Sequence, residues 1–516
     1  MPPADRHATG ERESAYRYYL VGVLMLVYAF NFIDRQLVTI LAPDLKRDLG
    51  IDDSQFGFLY GTAFGVFYAI FGIPLGRLAD RWSRVRLLTI GLALWSAMTV
   101  LSGLARNFAQ LGAARMGVGI GEATANPCAY SLIADYFPPR RRATAIAVYT
   151  MGLYIGGGAA LYFGSAIARG WNAHFASGAA PFGLAGWQVA FLAMGLPGLL
   201  LAMLVASLRE PERGRFDPPQ AGPAPTATPF AEFLRALEGV VPPFTLIAAA
   251  RGGLPVFAVN ALGAAAAIAL ALGLGHLTGD GVQWGAFALG CYAVFSWGQT
   301  VRLTDRATFD GVCRSRPLMG VTLGYGLFCI VGYAMTGFAP LYAIEVLKAD
   351  PGEVGFVLGG AGTLGGAIGV VAAGALADRL AGADRNHRRV WLIAGASLVA
   401  AVLYALMFTA TSLPVYYALN FVAWIFFSAV LGGSSGAVVN AVPAHLRGMA
   451  ASAFILGSTL LGLAIGPYAA GKLSVVLGDL GTGLLVLLLV IPLEMAALVV
   501  AERGFRQERN GGISPS

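Results

Sequence analysis

Four ionisable side chains stand where such groups are costly. Asp34 and Arg35 lie inside one long apolar run, and Arg115 and Glu122 lie inside another. Ionisable groups within a bilayer-length segment mark, by default, an ion or substrate pathway. On a helix, Arg115, Gly119, Glu122 and Asn126 recur at i, i+4, i+7 and i+11 and share one face. Tyr28, Asn31 and Arg35 form a second polar stripe, with Asp34 beside it. Two such stripes should face a common water-filled cavity. Asp34 and Arg115 each sit eight residues from the same-side end of their runs, which places both roughly 12 Å below one surface. Glu122 falls roughly 22 Å down, at or just past the midplane. The expected chemistry is an Asp34–Arg115 ion pair that breaks on protonation, with Glu122 as a second proton or cation site. Burial and a neighbouring guanidinium pull a carboxyl's proton affinity in opposite directions, so alternating exposure can load and release a proton. The bland alternative is that these charges only cement helix packing.

Substrate contacts are expected from Asn31, Arg115, Glu122 and Asn126 on the two stripes. Aromatic candidates along the same path are Tyr149 and Tyr154, Tyr325 and Tyr333, and Trp424. The second half of the chain carries few intramembrane charges, and its deep polar candidates are Asn420 and Asn440. A cavity charged on one side and apolar on the other suits an amphipathic molecule with a polar head and a greasy tail. A small organic anion anchored on Arg115 is the alternative. Other patterns do not survive inspection. Gly466–Lys472 (GPYAAGK) approaches a phosphate-binding loop, but Leu473 occupies the Ser/Thr position that Mg²⁺ needs. Gly360–Gly365 fits GxGxxG within an apolar block, where small residues serve close helix packing. The five histidines and four cysteines lack metal-ligand spacing. No metal, cofactor, nucleotide or nucleic acid is expected, and nothing resembles an embedded enzyme's nucleophile–histidine pair.

The elements that must position these residues follow from composition. Of 516 residues, 57% are hydrophobic and 12% charged, with mean hydropathy +0.67, against roughly 25% charged in soluble domains. Apolar blocks of bilayer-crossing length fall at 18–42, 54–78, 86–104, 107–135, 142–168 and 185–207, then at 255–275 and 284–301. Six more lie at 317–346, 353–377, 389–410, 413–441, 448–475 and 480–501, making 14 in all. The fold class is therefore an all-α polytopic membrane protein. The expected plan is an N-terminal segment 1–17, a six-helix half 18–207, a Pro-rich linker 208–254, an inserted helical pair 255–301, a six-helix half 317–501 and a tail 502–516. Between alternate blocks, 27 basic residues lie on one side and six on the other. The positive-inside bias then puts both termini in the cytoplasm. Only three of the 35 basic residues are lysine, a usage that points to a GC-rich bacterial genome and so to an inner membrane. The inserted pair could fill the groove between the halves, contact lipid or support a dimer.

An internal repeat supports the two-half plan. Gly76-Arg77-Leu78-Ala79-Asp80-Arg81 follows the second block, and Gly374-Ala375-Leu376-Ala377-Asp378-Arg379 follows the tenth. Arg142 follows Pro138 by four residues, as Arg447 follows Pro443. Two matching halves with substrate held between them are a known transporter plan. Gly76, Asp80, Arg81, Arg142, Asp378, Arg379 and Arg447 are expected to gate, through charge pairs that latch the halves in one state and release them in the other.

Gly76–Arg86 (GRLADRWSRVR) resembles the signature loop of the major facilitator superfamily, with Ser83 where that pattern has glycine, a change expected to loosen the turn. The stretches 31–51 and 114–127 resemble the Spinster-like branch, associated with lysolipids and sphingoid lipids. The resemblance implies a major facilitator fold, and it matches Asp34, Arg115 and Glu122 to positions considered functional in that branch. The expected protein is a proton-coupled secondary transporter moving a lipid-like molecule by alternating access. An organic-anion symporter or drug exporter of the same fold is the runner-up, and a receptor or scaffold on a transporter-like fold is a third reading.

Overall fold

Inside a bilayer the backbone must satisfy its own hydrogen bonds, so long apolar runs become helices. The computed structural model describes residues 3–176, 180–216, 228–381, 386–443 and 446–510. Side chains are described for these apart from 3–14, 143, 374–375, 377–381, 386 and 508–510. The molecule is all-helical, with 88% helix and no strands among the described residues.

The first half comprises α1 (Pro3–Ile40), α2 (Asp53–Arg81), α3 (Arg84–Gly103), α4 (Phe108–Glu122), α5 (Ala125–Tyr136), α6 (Pro139–His174) and α7 (Gly186–Ala206). The inserted pair is α8 (Leu254–Thr278) and α9 (Gly281–Thr304). The second half comprises α10 (Arg316–Glu345), α11 (Pro351–Ala381), α12 (Asn386–Met407), α13 (Leu413–Asn440), α14 (Arg447–Leu477) and α15 (Leu480–Gln507). Among the described residues, twelve helices are long and apolar enough to cross a membrane. The broken α4–α5 and the more polar α9, both expected as passes from the sequence, are not among those twelve.

Local chemistry sets the ends. Asp52 and Gln55 form a reciprocal capping box at the start of α2, and the Asn107 side chain accepts from the Gln110 N–H at 2.9 Å to start α4. The run expected as one helix over 107–135 is broken at Ala123–Thr124. Pro127 has no N–H to give the Ala123 carbonyl, and the Thr124 hydroxyl bonds back to the Gly121 carbonyl at 2.8 Å. The segment expected as a linker also holds two short helices, Pro229–Glu238 and Phe244–Arg251.

Both halves repeat the same three pairings: α1 with α6 and α10 with α14, α2 with α4 and α11 with α13, α3 with α7 and α12 with α15. The halves meet along two seams, α6 against α11 and α2 against α14. The face that carries the Arg77–Arg86 loop between α2 and α3 is here called the basic face. The contacts that lock the seams cluster at the opposite, far face. There Lys46 Nζ lies 2.7 Å from Asp53 and 2.9 Å from Glu345, Arg169 pairs with Asp350, and Ser474 donates to Asp53 at 2.6 Å. Partial burial pushes the Lys46 amine down, yet the Asp53 and Glu345 carboxylates outweigh it and hold it above the usual lysine range. Gly158 and Gly359 let α6 and α11 touch backbone to backbone, because a Cβ on either would run into the other's carbonyl.

Candidate functional site

Asp34, Arg115 and Glu122 come together, each at most 2% exposed, but not in the expected pairing. Glu122 Oε2 accepts from Arg35 Nε at 2.7 Å. Arg115 Nη1 instead donates to the Asp34 backbone carbonyl at 3.0 Å, and its Nε approaches the Leu59 carbonyl at 3.5 Å. The reason is directional. A helical side chain leans toward its own N-terminus, and α1 and α4 run in opposite directions. Arg35 and Glu122 lean toward each other, whereas the Asp34 and Arg115 side chains, at equal depth, lean apart. The Asp34 carbonyl points toward the C-terminal end of α1, where the Arg115 guanidinium arrives. A π turn at Phe58–Thr62 in α2 contributes the Leu59 carbonyl, a distortion frequent at functional sites.

The guanidiniums sit among aromatic faces. Arg35 Cζ lies 4.5 Å from the Phe64 ring centre and 5.0 Å from those of Phe32 and Tyr68. Arg115 Cζ lies 5.6 Å from the Phe64 ring centre. A polar chain continues from Tyr68: Asn126 Nδ2 donates to the Tyr68 hydroxyl at 3.3 Å, and the Tyr149 hydroxyl donates to Asn126 Oδ1 at 2.8 Å. Tyr149 stacks on Tyr28 with ring centres 4.5 Å apart. Asn31 Oδ1, Asp34 Oδ1, Arg115 Nη2 and Glu122 Oε1 are all buried with no hydrogen-bond partner in the protein.

Beside this cluster, a partly open pocket lies between the halves. Tyr325, Tyr333 and Trp424 line it, as does Tyr154, with Asn420 among the few polar groups. Its wall includes Phe32 and Gln36 of α1 but not Asn31, Arg115, Glu122, Asn126 or Tyr149. Arg35, half-buried, was read as part of a stripe but not as the partner of Glu122. The lean of side chains toward helix N-termini is the sequence-level signal that points to it. Glu494 in α15 was missed as well: it is fully buried, and neither carboxyl oxygen has a hydrogen-bond partner. It is the only charge between Leu480 and Val500, a signal visible in the run itself.

The loop below α2 holds a second charged cluster. Arg84, fully buried, pairs with Asp135 and donates to Glu210 at 2.7 Å and Ser131 Oγ at 2.9 Å. Ser83 does not loosen the turn. Its hydroxyl accepts from the Arg86 N–H at 3.3 Å, capping α3, and donates to Glu210 at 2.8 Å. Its backbone is unstrained at φ −57°, so a residue with a Cβ fits where glycine stands in the resembled pattern. Asp80 is exposed near Arg213, which donates to the Ala79 carbonyl at 2.8 Å. Arg81 reaches Glu232 of the short helix Pro229–Glu238 at 3.4 Å. Gly76 lies within α2 opposite Pro127, Arg142 donates to the Phe137 carbonyl at 3.1 Å, and Arg447 is exposed at the start of α14. The Asp378 and Arg379 side chains lie outside those described.

Two repeated bundles around a central cavity, backed by buried charge, define a membrane transporter. The sequence model of the Major Facilitator Superfamily matches residues 24–339, and the chain belongs to that superfamily. It is 27% identical over 501 residues to an MFS-type efflux pump of Mycolicibacterium smegmatis, covering 96% of this chain and 93% of that protein. A hexuronate transporter of Bacillus subtilis is 28% identical over 181 residues, 35% of this chain and 39% of that one. Among solved structures, a bacterial homologue of the human lysosomal transporter Spinster, inward-facing and unoccupied, superposes with a TM-score of 0.73 at 24% identity. That likeness covers 97% of this chain and 99% of the homologue.

Proposed function

We propose that this transporter works by alternating access, coupled to protons, and moves an amphipathic or lipid-like organic molecule. The observation that carries the reading is the Arg35–Glu122 ion pair at 2.7 Å, with Asp34 and Arg115 beside it and an aromatic cavity in front. With all four groups ionised the cluster is neutral. A proton on Glu122 removes its hold on Arg35 and leaves the cluster net positive, ready for an anionic head group. Proton loading and head-group binding then favour each other. The apolar wall built by Tyr325, Tyr333, Trp424 and Phe427 suits the tail. On this reading the basic face is cytoplasmic, the far-face contacts hold the outward side shut, and Asp80, Arg81, Arg142, Asp378, Arg379 and Arg447 belong to the cytoplasmic gate. The membrane is the inner membrane of a bacterium.

The second reading, an organic-anion symporter or drug exporter, draws on the unpartnered Arg115 Nη2 and on the hexuronate and efflux relatives. One experiment separates them: uptake of a labelled lysophospholipid into proteoliposomes, with and without a pH gradient, for the wild type and Asp34→Asn. Gradient-stimulated uptake that the variant loses is the expected result. Movement of small organic anions with no lysophospholipid uptake would replace the lipid reading with the second one.

A further inference from the structure

The pair α8–α9 has no counterpart in the two-half repeat. Helix α8 is exposed along most of its length and packs on α9. Helix α9 lies along the seam between α2 and α14. Its Phe287, Ala293, Trp297 and Val301 share an apolar cluster with Val66, Ala69 and Ile70 of α2 and Leu456, Leu460 and Ala464 of α14. This cluster is separate from the main core. Gly290 permits the approach, since a Cβ there would press on both Leu460 and Val66.

Two polar knots tie α9 and its turn to both halves at once. The inner knot is buried. The Thr62 hydroxyl of α2 sits 2.6 Å from Gln283 Oε1 and 2.5 Å from the Ala464 carbonyl of α14, and Gln283 Nε2 donates to that same carbonyl at 3.3 Å. Thr62 and Ala464 adjoin π turns in both seam helices, at Phe58–Thr62 and Ser458–Leu463. The outer knot closes at the α8–α9 turn. Asp280 Oδ2 lies 2.8 Å from Lys472 Nζ, accepts from the Tyr468 hydroxyl at 2.9 Å and meets Ser54 Oγ of α2 at 3.4 Å. Lys472 Nζ also donates to the Thr278 carbonyl at 2.5 Å.

We infer that Asp280 and Gln283 are positioning residues of the transport cycle: they clasp α2 to α14 near the far face and so set how readily that face opens. The inference rests on the alternating-access reading above. Opening the far face parts α2 from α14, which must undo both knots, because neither side chain can follow two helices moving in different directions. Buried polar groups that lose their partners in a membrane have no water to turn to. Helix α9 and the α8–α9 turn are thus a third body in the gate.

The test is hydrogen exchange on the full-length protein without substrate, comparing wild type, Asp280→Asn, Gln283→Leu and Thr62→Val, read alongside transport rate. The expected result is several-fold faster exchange confined to the far-face segments 53–62 and 464–477, with a changed ratio of maximal rate to KM. Asp280→Glu should restore wild-type exchange. Thr62→Val and Gln283→Leu should be non-additive, since they remove the same knot. Unchanged exchange in these segments, or equal acceleration throughout the chain, would overturn the clasp. Should the wild type move no solute while the variants still loosen only the seam, the transport reading fails and the clasp stands.

Discussion

Arg35 and Glu122 are separated by 87 positions in sequence and joined by a 2.7 Å contact in a protein interior. On the proton-coupled reading proposed above, their pairing makes the proton the switch. Replacing Glu122 by Gln keeps shape and hydrogen-bonding capacity but removes the acceptor of charge. Glu122→Gln is therefore expected to lose uphill accumulation, down to the level of empty liposomes, while substrate exchange without a gradient persists. Counterflow and gradient-driven uptake measured on one preparation check this. Arg35→Lys keeps the charge but gives up the planar fork stacked among Phe32, Phe64 and Tyr68. It should raise KM more than it lowers the maximal rate, and an unchanged KM would remove Arg35 from substrate recognition.

At the scale of elements, the loop between α2 and α3 is held by charge. The Glu210 carboxyl is pushed up by partial burial, but the Val85 N–H, Arg84 and Ser83 donors outweigh this and hold it below the usual carboxylate range. A depressed carboxyl stabilises fully above its unfolded value, about 4.3, and the contribution fades as pH falls through the folded value. Acid-induced loosening of this loop should therefore appear below that pH in the wild type and shrink in Glu210→Gln, as read by thermal unfolding across a pH series. Arg84→Ala leaves Asp135 buried without its cation and should cost about 3 kcal/mol, seen as a lower Tm. The sequence announced this loop through its resemblance, yet not the part Ser83 plays, because capping depends on where the Arg86 N–H and Glu210 arrive. The split of α4 from α5 was legible in Pro127. The π turns of α2 and α14 were not, since no local propensity encodes them and their partners are other helices. Likewise, stripe spacing brought the two polar faces together, while equal depth alone chose the wrong ion pair.

For the whole molecule, the repeated loops and apolar blocks made the all-helical, two-half plan readable in the sequence, while twelve of the fourteen expected passes are helices long and apolar enough to cross a membrane. What stayed hidden was which face is shut, because that depends on contacts between residues hundreds of positions apart, such as Lys46 with Glu345. Gly158 and Gly359 now give a handle on it. Gly158→Val puts branched carbon where the Gly359 backbone sits, so α6 and α11 cannot close. The variant should fold but sit open at the far face, with faster labelling of a cysteine introduced at Leu161. A labelling rate equal to wild type would mean that this seam does not control access. The account as a whole rests on protons moving with substrate through the Asp34–Arg35–Arg115–Glu122 cluster. The most direct test entraps a pH-sensitive dye in proteoliposomes and adds substrate outside without an imposed gradient. The account predicts a proton flux that tracks substrate entry in the wild type and vanishes in Glu122→Gln. Substrate entry with no proton flux, or an undiminished flux in the variant, would contradict it.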